Sequence, residues 1–416
     1  MAIFKPFKAL RPTPEYASKV AALPYDVMNS LEAREMVKGN PYSFLHIDKA
    51  EIDLPLDIDL YSDEVYQKAA ENLKKSEEDG ICKTDETPCF YVYRQIMNGR
   101  EQTGLVGCAS VDDYINNHIK KHELTRADKE ADRIRHVDTC DANTGPIFLC
   151  YKGKKEIIDI IEEYKKSEPV YDFVTDDGIS NTVWIIKESD VCAELSALLA
   201  EAGDFYIADG HHRCASAVNV AKMRREQNPD FDGTEEFNFF LAVLFPAESL
   251  EIMDYNRVVK DLNGNTKEEF IEKISADFTV EKASCDGAYH PEEKHTFGMY
   301  IDNEWYKLTA KDGTFSESDP VDRLDVSILQ KNLLTPILNI GDPRTDKRID
   351  FIGGIRGLKE LEHLVNGGMA VAFSMYPTTL EDLMAIADAN MIMPPKSTWF
   401  EPKLLSGLFI HKLETK

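Results

Sequence analysis

The sequence lacks the patterns that mark several common protein classes. No apolar run approaches the ~20 residues that a bilayer span requires, and the first residues lack the long apolar stretch of a secretory signal. The cysteines include no CxxC pair and no regular spacing, which argues against a zinc ribbon or a disulfide framework and fits reduced thiols. We therefore predict a cytoplasmic protein with no membrane partner. The eight cysteines are Cys82, Cys89, Cys108, Cys140, Cys150, Cys192, Cys214 and Cys285.

Positive charge is also scarce. The chain has 48 Lys and Arg against 74 Asp and Glu, which gives a formal net charge of −26. Such a field repels a polyanion, and the densest basic stretches, Lys120-Lys121 and Arg224-Arg225, lie beside acidic residues. We therefore predict no nucleic-acid partner. A small anion is still an allowed ligand, because a helix N-terminus can bind one locally.

The common nucleotide and hydrolase motifs are missing as well. The sequence has no Walker A motif, no GxGxxG and no GxSxG, which removes the commonest NTPase, Rossmann and hydrolase interpretations. What it has is an irregular alternation of helix and strand patterns, which predicts an α/β (α+β) fold with a mixed sheet. We expect three regions: an N-terminal α/β segment over 1–98, a core over 99–230 and a C-terminal α+β region over 231–416.

Several local elements follow from turn and cap residues. Asn29 followed by Glu32 forms a capping-box pattern that predicts a helix start after an extended piece at 23–27. Asn98-Gly99 between two β-rich runs, 90–96 and 103–109, predicts a hairpin. A charged helix is expected over 125–136. Further on, a strand over 205–208 precedes a helix over 212–226, where apolar residues recur at helical spacing.

The junction between that strand and that helix reads Asp209-Gly210-His211-His212-Arg213. Gly210 lets the backbone turn sharply and approach a ligand closely. The helix behind it presents unpaired amides and the positive end of its dipole. A cation at Arg213 opposes that dipole unless it grips a phosphate or carboxylate. The alternative is that Asp209 only caps the helix and the two histidines lie on the surface.

A second cluster runs through Lys120-Lys121-His122-Glu123-Leu124-Thr125 and continues to Asp132 and His136, which share one helix face. A solvated, salt-bridged helix explains the pattern equally well. A metal site is a further alternative, but no dense motif such as HExxH supports it, so we assign no metal ligand. Its pool of ligands would be His122, Glu123, Asp132, His136, Asp209, His211 and His212.

Two loops complete the set of candidates. Residues 141–146 precede a buried strand, and turn chemistry accounts for their composition. Lys396-Ser397-Thr398, with Lys403, places two cations and two hydroxyls in a proline-bounded loop. That loop could hold an anion or cover the core.

At residues 208–217, which include Asp209-Gly210-His211-His212-Arg213, the sequence resembles the ParB/sulfiredoxin-like superfamily, and in particular its free serine kinases. In that superfamily a strand, a turn ending in Arg and a small-residue helix bind nucleotide phosphates. Residues 119–123 are similar to the segment in which those kinases carry an acidic catalytic residue. His211 stands where sulfiredoxins have Cys, which argues against sulfinic-acid reduction. The acidic balance argues against the basic DNA-binding domain of ParB partition proteins.

Over nearly its full length the chain also resembles an uncharacterised prokaryotic ParB-like family, domain of unknown function 1015. The stretches that carry this resemblance are 7–12, 24–27, 40–46, 255–259 and 393–398. The resemblance implies a ParB/sulfiredoxin-like, nucleotide-binding core over 99–230.

The kinase resemblance implies a nucleotide-dependent phosphotransferase that uses ATP or ADP with Mg²⁺ on free serine or a similar hydroxyl metabolite. Glu123 would accept the hydroxyl proton, Asp209 would hold Mg²⁺, and His212 would help to neutralise developing charge. The residues expected to bind nucleotide or phosphate are Gly210, His211, Arg213, His122, Thr125 and Lys396.

Two other functions stay open. The first is a non-catalytic nucleotide- or metabolite-binding regulator on the same fold, and the second is a metal-dependent phosphatase or hydrolase. The predicted partners are a nucleotide and a small-molecule substrate, and homo-oligomer formation is left open.

Overall fold

The computed structural model describes residues 2–284 and 287–414, so Cys285 lies outside the described residues. The chain forms two compact units. The first comprises Met1–Leu250 together with Pro402–Lys416, and the second comprises Glu251–Glu401. The first unit leaves off and the second begins at 250/251. The division into 1–98, 99–230 and 231–416 expected from the sequence stays a prediction. The C-terminal segment returns to the first unit, which no sequence pattern indicated.

The first unit contains a mixed sheet and flanking helices. Its strands are β1 (Phe4–Lys5), β2 (Leu10–Pro12), β3 (Cys82–Thr84), β4 (Phe90–Met97), β5 (Arg100–Ser110), β6 (Ile119–Lys120), β7 (Ala142–Asn143), β8 (Ile147–Tyr151), β9 (Tyr171–Val174), β10 (Ser180–Ile186), β11 (Phe205–Asp209), β12 (Phe239–Pro246) and, in the returning C-terminal segment, β21 (His411–Lys412). Its helices are α1 (Ala17–Val20), α2 (Ser30–Met36), α3 (Leu45–Asp48), α4 (Asp63–Glu78), α5 (Val111–Ile115), α6 (Ala127–Cys140), α7 (Lys155–Tyr164), α8 (Ser189–Glu201) and α9 (His211–Gln227).

The main sheet has the order β6-β11-β8-β12-β5-β4-β10-β9, with β1 on β5. Parallel pairs (β6 with β11, β8 with β12) occur beside antiparallel ones. The mixed α/β architecture predicted from the sequence is therefore confirmed. The Asn98-Gly99 hairpin forms as expected, because both turn residues adopt the positive φ that such a turn requires.

Two large apolar clusters contribute to the stability of this unit. One lies on the main sheet, where side chains of α7, α8 and α9 such as Ile157, Leu195 and Val218 meet strand residues such as Phe240. The other joins α3, α4 and the end of α6 to Ile410 of the returning C-terminal segment. The second cluster fixes that segment in place, since burial of large apolar side chains dominates local stability.

Most predicted elements occur where the sequence placed them, with small differences at their ends. The capping box of Asn29 and Glu32 starts α2 as predicted. Residues 23–27 are not simply extended, because Tyr25–Val27 forms a 3-10 turn after Pro24. The charged helix continues past the predicted end to Cys140 and stops at Asp141, which adopts a left-handed conformation.

The second unit is built on a six-stranded antiparallel sheet in the order β15-β17-β16-β19-β14-β18, with β13 and β20 as a separate pair. Val258, Trp305 and Leu361 belong to its core. Its strands are β13 (Ile252–Met253), β14 (Tyr255–Val259), β15 (Phe278–Lys282), β16 (Thr296–Ile301), β17 (Glu304–Ala310), β18 (Ile349–Gly353), β19 (Val371–Met375) and β20 (Trp399–Phe400), and its helices are α10 (Lys267–Ile274), α11 (Asp325–Leu329), α12 (Leu358–Asn366) and α13 (Leu380–Asp388).

Lys396 belongs to this second unit. It adopts a positive φ of 60°, and its ammonium lies 5.6 Å from the centre of the Tyr255 ring. Its role in phosphate binding stays a prediction. Across residues 2–284 and 287–414, none of the helices combines the length and apolar character that a membrane span demands.

Candidate functional site

Two short motifs meet at one edge of the main sheet because their strands run parallel. Strands β6 and β11 pair with Lys120 opposite Tyr206. The chain therefore leaves both strands at the same edge, and the His122–Glu123 segment comes to lie beside the turn after Asp209. The structure thus brings together the two motifs that the sequence singled out.

The N-terminus of α9 has no side-chain cap among the described residues. Gly210 occupies the N-cap position with φ 92°, and Cys214 is the first residue to donate to its carbonyl. The amides of His211, His212 and Arg213 therefore precede the first intrahelical bond, as the geometry of any helix start requires. Together with the helix dipole, these amides make this corner a candidate site for an anion, and we call it the anion-binding corner.

The positive φ of Gly210 gives the first prediction. Gly210→Ala should lower the free energy of unfolding by about 1–2 kcal/mol, because a left-handed conformation is strained in any residue with a Cβ. That Cβ would also lie 3.2–3.3 Å from the Arg213 guanidinium and displace it. Gly203→Ala is the matched control, because Gly203 has φ 96° and nothing within 4 Å. Urea denaturation should show similar losses for both variants, and ADP binding should weaken only in Gly210→Ala.

Asp209 is held by neighbouring donors and cations. Its Oδ1 accepts the Gly210 amide at 2.7 Å, and its Oδ2 accepts the Lys403 ammonium at 3.0 Å. Burial opposes ionisation of Asp209, but the charges of Lys403 and Arg213 outweigh it and hold its pKa well below the usual range. Asp209 is therefore an anion that fixes the turn. Lys403 is a functional candidate that the sequence pointed to only as part of a loop.

A pair of buried histidines lies behind the helix N-terminus. The His122 and His211 rings pack edge to face at 4.4 Å, and the His122 amide lies 3.5 Å from His211 Nε2. On the other side, His211 Nδ1 lies 3.8 Å from a carboxylate oxygen of the half-exposed Glu123. Burial and the neighbouring His122 keep the pKa of His211 well below its ordinary range, so this ring is neutral. Because Glu123 is half-exposed and lies beside His211, it is at the rim of the anion-binding corner.

His122 gives the second prediction. Burial lowers its pKa to about 4 against an opposing effect of Asp209, and neither ring nitrogen has a hydrogen-bond partner in the described part of the chain. The folded-state pKa lies below the ordinary value near 6.5, so the unfolded state takes up the proton first. The contribution of His122 to stability is therefore fully present above about pH 6.5. As the pH drops toward 4 this contribution is lost, and the free energy of unfolding falls by up to ~3 kcal/mol.

Gln at position 122 does not titrate, so His122→Gln should lose less stability than the wild type between pH 6.5 and 4. Urea denaturation of the wild type and the variant at pH 7 and pH 4.5 measures the difference. Parallel losses in both proteins would show that other groups cause the acid sensitivity.

His212 and Thr125 are bound to residues at the start of α6. His212 Nε2 accepts the Arg126 amide at 3.0 Å, and burial lowers its pKa. The ring is therefore neutral, and it can act on a phosphate only by donating from Nδ1. Thr125 donates its hydroxyl to Glu130 at 2.7 Å.

Arg213, in the first turn of α9, lines a cleft. The cleft contains about 390 Å³ of space not filled by atoms, its open mouth included. The Arg213 guanidinium lies close to Gly210, where a Cβ would crowd it, and near Gly145, and it donates to the carbonyl of Pro146. Polar residues that line the cleft are Tyr25, Asp48, Arg133, His136, Asn143, Thr144 and Arg213.

The cleft corrects two interpretations of the sequence. The face shared by Asp132 and His136 is not solvated, because His136 is buried and bonded to the Ile47 carbonyl at 3.0 Å, and Asp132 holds Arg133. Residues 141–146 do more than turn the chain, since Asn143 lines the cleft. The run of polar residues between a helix and a buried strand was the available signal. No such signal identified Tyr25 or Asp48 as residues of the cleft.

The residues present do not fit a resident Mg²⁺ site. Both oxygens of Asp209 are already engaged, one by the cation of Lys403. In the described residues no group of three or more His, Cys, Asp or Glu side chains could hold a metal ion. Mg²⁺ in proteins is commonly bound by one or two carboxylates plus the phosphates of a substrate.

Comparison with known proteins gives one family and several solved structures. A family model described as "Protein of unknown function (DUF1015)" matches residues 4–327. No curated protein matches the chain. The chain is similar to a free serine kinase in complex with AMP, with 14% identity, 74% of this chain and 87% of that chain covered, and a TM-score of 0.34.

Two further solved structures are similar at the same level. A conserved hypothetical protein from Pyrococcus furiosus has 14% identity, 72% and 92% coverage of the two chains and a TM-score of 0.34. SbnI with a C-terminal truncation, from Staphylococcus aureus, has 10% identity, 72% and 85% coverage and a TM-score of 0.37.

Proposed function

We propose that this chain, which belongs to the DUF1015 family of proteins of unknown function, is a nucleotide-dependent phosphotransferase acting on a small hydroxyl metabolite such as free serine. One observation carries the proposal. The uncapped N-terminus of α9 begins at Gly210 and is joined to a polar cleft by Arg213, and a carboxylate, Glu123, lies at its rim. We assign this arrangement to a ParB/sulfiredoxin-like core within 99–230.

The amides of His211 and His212 would bind the donor phosphates, and the helix dipole and Arg213 would stabilise their charge. These groups would stabilise the negative charge that spreads over the phosphoryl oxygens during transfer. Stabilising that charge is the main catalytic requirement of such a reaction. The neutral rings of His122 and His211 wall the corner and exclude water from it. Lys403 holds Asp209 and, through it, the conformation of the turn.

In the transfer step the hydroxyl oxygen of the acceptor forms a bond to the terminal phosphorus of ATP or ADP. The bond from that phosphorus to the bridging oxygen breaks, and the released nucleotide keeps the electron pair. The hydroxyl proton passes to the carboxylate of Glu123, which needs only hydrogen-bond reach for this role. Mg²⁺ would arrive with the nucleotide. Thr125 and Lys396 stay proposed contacts to nucleotide or phosphate.

A second candidate function is a non-catalytic nucleotide- or metabolite-binding regulator. The pairing of Asp209 with Lys403 favours it, because it removes one of the two carboxylates that the kinase hypothesis gave to the site. Both functions take a nucleotide and a small molecule as partners in the cytoplasm, without nucleic acid, and both leave homo-oligomer formation open.

Turnover separates the two candidates. Purified protein with ATP or ADP, Mg²⁺ and L-serine should yield phosphoserine, detected by mass spectrometry. Nucleotide binding without any phosphorylated product would favour the regulator. Absence of both binding and product would contradict both candidates.

A further inference from the structure

The cleft beyond Arg213 holds charges of both signs on separate elements. Arg213 lies at the start of α9, Arg133 within α6, and Asp48 at the end of α3. Asp48 and Arg133 are only 5% and 8% exposed. A cleft lined by two arginines and an aspartate offers groups of both signs to a ligand that carries both charges.

Each of the three charged groups has hydrogen-bonding capacity that the protein does not use. The Asp132 carboxylate pairs with Nε and Nη2 of Arg133. No described residue accepts a hydrogen bond from Nη1 of Arg133. The buried Nε of Arg213 has no partner within the described residues. Asp48 accepts the Thr144 hydroxyl through Oδ1 at 2.7 Å, which leaves Oδ2. An unmet buried donor is unfavourable, so the Nε of Arg213 in particular indicates a ligand rather than a packed core.

The two arginines share the cleft with Tyr25. The Arg133 guanidinium lies 4.1 Å from the centre of the Tyr25 ring. Arg213 lines the same cleft as Tyr25 and Arg133. Two arginine side chains in one cleft form a setting in which a carboxylate can be bound by several donors.

We propose that this cleft binds a small zwitterion, with its carboxylate on Arg133 and Arg213 and its protonated amine on Asp48. Asn143 adds a donor, because its Oδ1 is used by the Leu241 amide and by His411, whereas its side-chain NH₂ group donates to no described residue. The assignment rests on the proposed function in one respect: the cleft is taken as the acceptor site of the phosphotransferase, next to the nucleotide corner.

The test uses three ligands of one size and the full chain without nucleotide. L-Serine carries carboxylate and amine, 3-hydroxypropanoate only the carboxylate, and ethanolamine only the amine. Isothermal titration calorimetry should show that L-serine binds about 10- to 100-fold more tightly than either of the others, the effect expected from losing a hydrogen bond to a charged group.

The variants give a second readout. Arg133→Met should weaken L-serine binding to a similar extent, and Asp48→Asn should abolish the preference for L-serine over 3-hydroxypropanoate. The matched control is Arg135→Met, because Arg135 lies on the same helix but pairs with Asp63 and is not among the residues that line the cleft. If either cleft variant fails to fold, the ligand series on the wild type decides.

Equal affinity for L-serine and 3-hydroxypropanoate, or binding of none of the three, would overturn the zwitterion site. L-Serine binding that survives both cleft variants would overturn it too, even if phosphoserine is formed. If L-serine binds as expected and no nucleotide yields phosphoserine, the phosphotransferase fails and the zwitterion site stands.

Discussion

Replacing Glu123 with Gln is expected to reduce phosphoserine formation at least ~100-fold, since a positioned general base contributes about 10²–10⁴ to the rate. The amide keeps the size of the side chain but cannot accept the hydroxyl proton. Nucleotide binding should persist, because Glu123 lies at the rim near His211 and is not one of the groups that bind phosphate. Phosphoserine measured by mass spectrometry, together with ADP binding, gives the two readouts.

The matched control for this substitution is Glu194→Gln, at an exposed position of α8. It should leave both readouts unchanged. If Glu123→Gln retains full activity, Glu123 is not the base, and the phosphotransferase mechanism proposed above is wrong at its central proton transfer.

Replacing Arg213 with Lys should weaken ADP binding by about 10- to 100-fold, the effect of losing a charged, forked hydrogen-bond donor. Lysine keeps one positive charge but cannot use several nitrogens at once against a phosphate while also bonding the Pro146 carbonyl. Equilibrium dialysis with labelled ADP measures the loss. Glu123 is untouched, so activity at saturating nucleotide should fall less than nucleotide affinity.

Arg225→Lys is the control for Arg213→Lys, because Arg225 lies near the other end of α9 and pairs with Asp112 and Asn238. A uniform loss of ADP binding in both variants would point to a general charge effect. Unchanged binding in Arg213→Lys would remove Arg213 from the nucleotide site.

The local parts of the fold could be predicted because short-range rules determine them. The Asn98-Gly99 hairpin and the capping box at Asn29 depend on neighbouring residues only, and both occur as expected. The strand–turn–helix unit at Asp209-Gly210 is also local. Its components, a buried strand, a glycine with positive φ and a helix, occur in the predicted order.

The partners of the site could not be predicted in the same way, because they come from distant parts of the chain. Lys403 reaches Asp209 across 194 residues, and Asp48 meets Thr144 across 96. Strand β6, which brings Glu123 to the corner, has two residues and carries no periodicity of its own. Only tertiary packing determines such neighbours.

The burial of individual histidines could not be predicted from the sequence either. His122, His136 and His211 are buried, whereas the charged pattern of α6 fits a solvated helix equally well. A helix that packs on two sides hides polar residues that it then has to pair internally, as His136 does with the Ile47 carbonyl.

The central claim is that the N-terminus of α9 binds the phosphates of a nucleotide, and a crystal structure of the full chain with ADP tests it most directly. The account predicts phosphate oxygens within about 3 Å of the His211 and His212 amides, with Arg213 turned toward them. Nucleotide bound elsewhere, with this corner empty, would contradict it.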